Sequence, residues 1–142
     1  MKTIHLVRVT AAALSAAMLG GCAGMEPVGS GVENDPYIIT IKFSETPCKV
    51  SSVSDTLPNC KFSSQKCVRR NEFLQWESDP DSIKYEIYFD PITGLPLVSN
   101  NNGILKKKID ANAPFAEYKY SILKNGCNSA TDTYDPRFRV DN

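Results

Sequence analysis

Apolar residues in this sequence recur at every second position, in short runs cut off by Pro, Gly or Asn. That spacing matches an extended strand, whose successive side chains point to opposite faces. Tyr37, Ile39, Ile41 and Phe43 share one face of the first run, and Ser44 to Pro47 ends it. Ile83, Tyr85, Ile87 and Phe89 form the cleanest run, with Lys84 and Glu86 on the opposite face. Tyr118, Tyr120 and Ile122 repeat the pattern, and Phe138 and Val140 close the chain the same way. Shorter strands are predicted near Cys48 to Val53, at Phe73 to Trp76 with Leu74 and Trp76 inward, and at Ile104 to Ile109. Leu95 to Val98 is predicted at a sheet edge, because Pro96 has no N–H to donate in a central strand. Asp79-Pro80-Asp81-Ser82, Asp90-Pro91-Ile92-Thr93-Gly94, Ser99 to Gly103 and Asn125-Gly126 supply turns. Helical periodicity over a window of about 11 residues is absent after Pro36. The expected fold is all-β: an antiparallel sandwich of about seven or eight short strands.

The N-terminus reads differently. Lys2 and Arg8 precede an apolar core from Val9 to Leu19, broken only by Thr10 and Ser15, and small residues follow. This is the layout of a secretory signal peptide. Its core is shorter than the roughly 18 apolar residues that a spanning helix needs. Leu19-Gly20-Gly21-Cys22 resembles the lipobox of bacterial lipoproteins. The resemblance implies diacylglyceryl transfer to the Cys22 sulfur, cleavage before Cys22 and acylation of its amine. An ordinary signal peptide with a chance Cys is the plainer alternative. Ala23 follows Cys22. In Gram-negative lipoproteins an Asp at that position favours the inner membrane, so the resemblance implies the outer membrane, facing the periplasm. We therefore expect a signal peptide at 1–21, Cys22 and a flexible Gly-rich tether to residue 35, and a β-sandwich domain over 36–142.

Five Cys is an odd number for a secreted chain, and lipidation of Cys22 leaves four: Cys48, Cys60, Cys67 and Cys127. Two disulfides are expected in an oxidising compartment. Four Cys allow three connectivities. Our expectation is Cys60–Cys67, which are close in the chain, together with Cys48–Cys127. A thiolate metal site is disfavoured, since the spacing lacks tight Cys pairs and the sole His, His5, leaves with the signal.

Trp76-Glu77-Ser78, the run from Tyr85 to Phe89, Tyr118-Lys119-Tyr120 and Asp135-Pro136-Arg137 together resemble small bacterial β-sandwich domains of cupredoxin-like shape, and the expected sandwich is of the immunoglobulin or cupredoxin kind. Copper cupredoxins use two His and one Cys. The mature chain has no His, so that site does not carry over.

Loss of His5 also removes Ser-His-Asp and Cys-His chemistry from the mature chain. Asp79, Asp81, Asp90, Asp132 and Asp135 remain as candidate paired carboxylates for a hydrolase. Asp beside Pro is also a common turn former. No catalytic residue and no cofactor are assigned. Removing Lys2 and Arg8 from the 16 basic residues leaves 14 against 16 acidic ones, so bulk charge gives no support for nucleic-acid binding. Arg69 with Arg70, Lys106-Lys107-Lys108, and Arg137 with Arg139 are candidate partner-binding groups. The plainer reading is a solvated face or edge-strand protection. Tyr88 lies opposite Ile87 and Phe89 in phase and is the aromatic most expected at the surface.

These readings converge on a non-enzymatic, lipid-anchored envelope protein that binds another envelope protein or supports an assembly. The alternative is a periplasmic module for a small ligand or glycan, and a pocket lined by Tyr88, Trp76 or Tyr118 would favour it.

Overall fold

The computed structural model describes residues 29–90, 95–128 and 136–142. Cys22, the leader, the start of the tether, Asp132 and Asp135 lie outside the described residues, as does the Pro91 to Gly94 stretch of the turn after Asp90. Nine strands run in order: β1 (Tyr37–Phe43), β2 (Val50–Asp55), β3 (Cys67–Arg69), β4 (Phe73–Asp79), β5 (Tyr85–Asp90), β6 (Leu97–Val98), β7 (Ile104–Lys108), β8 (Glu117–Lys124) and β9 (Arg137–Asp141). Among the described residues there is no helix.

The strands form a four-stranded sheet, β2-β1-β4-β7, and a five-stranded sheet, β3-β9-β8-β5-β6. The all-β sandwich expected from the alternation is present, with nine strands against the seven or eight expected, β3 being the one not anticipated. Two pairings depart from a purely antiparallel arrangement: β1 with β4 and β3 with β9 are parallel. The cause is a change of sheet. After β2 the chain contributes β3 to the other sheet, then returns with β4 alongside β1. A return of this kind is not restricted to the reversed direction of a tight hairpin. β3 has only three residues, too few to show alternation.

Alternation places one face of each long strand in the core. Ile39, Ile41, Leu74, Trp76, Tyr85, Ile87, Val68 and Val140 are almost wholly buried. The Trp76 indole stands edge-on to Phe89 and Tyr120, with centroids 6.0 and 5.9 Å away. Tyr118 stacks on Phe138 at 5.7 Å. The two buried serines serve the backbone. Ser99 Oγ accepts from the Tyr85 amide at 2.9 Å, and Ser78 Oγ accepts from the Ile83 amide at 3.3 Å. Gly103 has φ of +71°, and a Cβ there would lie 1.9 Å from Ser78 Oγ, so this turn requires glycine.

The folded unit begins before Pro36. The Phe73 amide donates to Gly31 O at 2.7 Å, the Ser30 amide donates to the Asp35 carboxylate at 2.9 Å, and Lys106 Nζ donates to Glu33 O. These bonds lay residues 29–35 against the end of the four-stranded sheet where β1 and β4 begin. The flexible composition of this stretch is thus outweighed by tertiary hydrogen bonds.

Both disulfides are present with the expected pairing, Cys48–Cys127 and Cys60–Cys67. Cys48 lies in the β1–β2 turn and Cys127 just after β8, so this bond ties one sheet to the other. The second closes the loop between β2 and β3. Their sequence separations are 79 and 7. Chain entropy makes the longer loop worth about 4.5 kcal/mol and the shorter about 2.5 kcal/mol. We expect Cys48→Ala with Cys127→Ala to lower the urea midpoint more than Cys60→Ala with Cys67→Ala. Equilibrium unfolding of the two double variants checks the order.

Candidate functional site

A cleft of about 470 Å³ opens between the two sheets. Trp76 of β4 and the end of β7 line it from the four-stranded sheet. Tyr88 and Phe89 of β5, Leu97 of β6, Tyr118 of β8 and Phe138 of β9 line it from the other sheet. Ala113 and Pro114 of the β7–β8 connection also line it, as do Leu95 and Pro96. The lining is mainly apolar. Its volume falls within the range of about 300–1,000 Å³ common to small-ligand sites.

The cleft follows from the sheet edges. β6 and β7 are the edge strands on this side of the two sheets. β6 has two residues, beside Pro96, so it covers little of the core. Leu105 in β7 and Ile109 just beyond it, on either side of Lys107, are buried, and Lys107 pairs with the fully buried Leu74. Lys107 thus occupies an inward-facing register position at the cleft and is exposed there, an arrangement that lets a lysine cover apolar surface with its stem while its ammonium is hydrated. The signal was legible in Leu105-x-Lys107-x-Ile109, as a charge on the core-facing phase of a strand. Leu97, Ala113 and Pro114 carried no comparable signal, because only the crossover brings them to the cleft.

The candidate partner-binding residues do not form one surface. Arg70 donates to Ala113 O at 2.9 Å and lies 3.8 Å from the Phe115 ring centroid, so it pins the β7–β8 connection. Arg69 is exposed at the end of β3, and its amide donates to Glu72 at 2.6 Å. Lys106 and Lys108 flank the Phe73 ring at 5.5 and 5.7 Å. Arg137 pairs with Glu117 at 3.2 Å, and Arg139 lies opposite Glu117 on the outer face of the other sheet. The basic groups are thus divided between the two sheets, and acids accompany those on β9. Tyr88 is 39% exposed, as its phase predicts, and its hydroxyl donates to Glu86. That bond is the main reason its pKa is raised. Tyr88 also reaches the rim of the cleft beside the fully buried Trp76 and the largely buried Tyr118.

Asp79, expected in a turn, is the exposed last residue of β4, Asp81 is exposed in the turn after it, and Asp90 is exposed at the end of β5. Among the described residues, one group of three potential metal ligands comes together: Cys60, Cys67 and Asp141. Both of its sulfurs are committed to a disulfide.

No protein-family model matches this chain, and no curated protein matches it.

Burial raises the pKa of Tyr37, Tyr85, Tyr118 and Tyr120, since a phenolate loses hydration in the core. The effect is greatest for Tyr85 and Tyr120, whose phenols rise far above the usual 10.0. A raised pKa means that the folded chain holds the proton more tightly than the unfolded chain. The contribution to stability is complete below about pH 10 and is lost as pH rises further. We expect phenolate absorbance from Tyr85 and Tyr120 to appear together with loss of circular dichroism in an alkaline titration. Full tyrosine ionisation near pH 10 with the fold intact would contradict this.

Proposed function

We propose that this chain is a lipid-anchored bacterial envelope protein without catalytic activity, whose domain binds a small apolar ligand in the cleft between its sheets. One observation carries the reading: Tyr88, Phe89, Leu97 and Ala113 line a single apolar cleft whose floor is the buried Trp76 and Tyr118. Sites of this kind present an apolar wall with few polar groups to fix orientation. That composition suits an apolar ligand better than a glycan, which needs many hydrogen bonds. Leu19-Gly20-Gly21-Cys22 supports anchoring through lipid on Cys22, with the outer membrane facing the periplasm as the location.

Trp76 is the sole tryptophan, so its fluorescence reports on the cleft. We expect 1-dodecanol to change that emission saturably in the full chain carrying Cys22→Ser, which is free of lipid. Ala113→Phe, which fills the cleft, should weaken the response by about tenfold or more, because one side chain then replaces the ligand's contacts. An unchanged affinity in Ala113→Phe would move binding away from the cleft.

A second observation favours a protein partner. Phe62 is 95% exposed in the loop closed by Cys60–Cys67. The Cys60 amide donates to Gln65 O at 2.7 Å within that loop, so the ring stands on a braced support. Exposed aromatic side chains that lose little entropy on binding are effective interface anchors. Crosslinking in the native envelope tests this reading and the anchor together. We expect a partner captured by the lipidated chain to be lost in Cys22→Ser, which should leave the membrane fraction, and reduced in Phe62→Ser, which should stay there. Capture unchanged by Phe62→Ser would remove that loop from the interface.

A further inference from the structure

We infer that the cleft is a site for a long-chain carboxylate, with the acyl tail against Phe89, Leu97 and Ala113, over the buried rings of Trp76, Tyr118 and Phe138, and the carboxylate at the Lys107 ammonium. The inference rests on the apolar-ligand reading above and specifies the ligand class. Three observations point to it. The interior of the cleft is built from aromatic and aliphatic surface contributed by both sheets, which suits an unbranched hydrocarbon. The charge at the mouth is mixed but weighted to the positive, with Lys107 and Lys108 against Asp110. Lys108 sits over the Phe73 ring, whereas Lys107 makes no ion pair among the described residues. A cation on an inward-facing position at the rim of an apolar cleft can meet a carboxylate whose tail lies inside. Lys107 has a single charge to offer, which a single carboxylate balances.

The third observation is the direction from which a ligand would come. Lys106, next to Lys107 but on the opposite face of β7, holds Glu33 O, and the Phe73 amide holds Gly31 O. Phe73 lies opposite Lys108. The segment leading to Cys22 is therefore fixed at the same end of the four-stranded sheet as the cleft mouth. Only residues 23–28 separate Cys22 from Gly29. At about 3.3–3.6 Å per residue, this connection reaches about 25 Å at most. With Cys22 lipidated, the mouth stays close to the bilayer surface, where long-chain carboxylates partition.

The test uses the full chain with Cys22→Ser and three ligands of equal tail length: dodecanoate, 1-dodecanol and dodecyltrimethylammonium. Trp76 emission and calorimetry report binding. Dodecanoate is expected to bind tightest and the cationic ligand weakest. Lys107→Gln should weaken dodecanoate by about fivefold to tenfold, the effect of removing one charge-assisted contact near water, and leave 1-dodecanol unchanged. Lys107→Arg, which keeps the positive charge, should retain the dodecanoate affinity. Equal affinity for all three ligands, or dodecanoate binding unaffected by Lys107→Gln, would overturn the carboxylate assignment while leaving an apolar cleft. Failure of all three to bind would overturn the apolar-ligand reading as well.

Discussion

Trp76 stands at the centre of the contact between the two sheets. It lies on β4, an interior strand, and its ring meets Phe89 and Tyr120 edge-on from the opposite sheet. Each such aromatic pair adds about 0.5–1.5 kcal/mol beyond the area it buries. The same packing has a cost. Trp76 Nε1 and Tyr85 Oη are buried without a hydrogen-bond partner among the described residues. The indole N–H lies near enough to the Tyr120 phenol to favour its charged form, but not in hydrogen-bond geometry. An unpaired buried polar group costs about 1–3 kcal/mol. The aromatic layer must therefore be extensive to hold the sheets together, and Phe138 and Tyr118 continue it.

Where that layer reaches the β6 and β7 edges, it is not fully covered. The short β6 and the inward Lys107 leave the partly exposed Phe89, at the margin of the buried aromatic layer, facing a cleft. At the other side, the sheets are held covalently by Cys48–Cys127. The sandwich is thus fastened at one place and open at another. The crossover that borders the opening is itself pinned by Arg70 to Ala113 and Phe115. This explains why a residue chosen as a candidate for partner binding turns out to support the wall of the cleft.

Strands such as β1, β5 and β8 were legible because their alternation is strict over five or more residues and one face is buried or nearly so. β3 was not, because three residues carry no period. Parallel pairing of β1 with β4 was equally hidden, since pattern fixes which face is buried but not which strand lies alongside. Residues 29–35 read as tether by composition, yet their backbone bonds to Phe73 and Lys106 draw them onto the sheet. Tyr88, Trp76 and Tyr118 were each visible as aromatics of a given phase. Their meeting at one cleft depends on crossovers that sequence spacing does not encode.

The sequence by itself determined the β class, the inward faces of the main strands and the positions of the turns, because these follow from local periodicity and backbone restriction at Pro and Gly. It also narrowed the cysteine pairing, through the proximity of Cys60 to Cys67. Only the tertiary structure decided the order of strands, the mixed pairing, the division of the basic groups between two sheets, and the cleft. Those depend on contacts between residues far apart in the chain, whose energies are set by which surfaces meet once the sheets have packed.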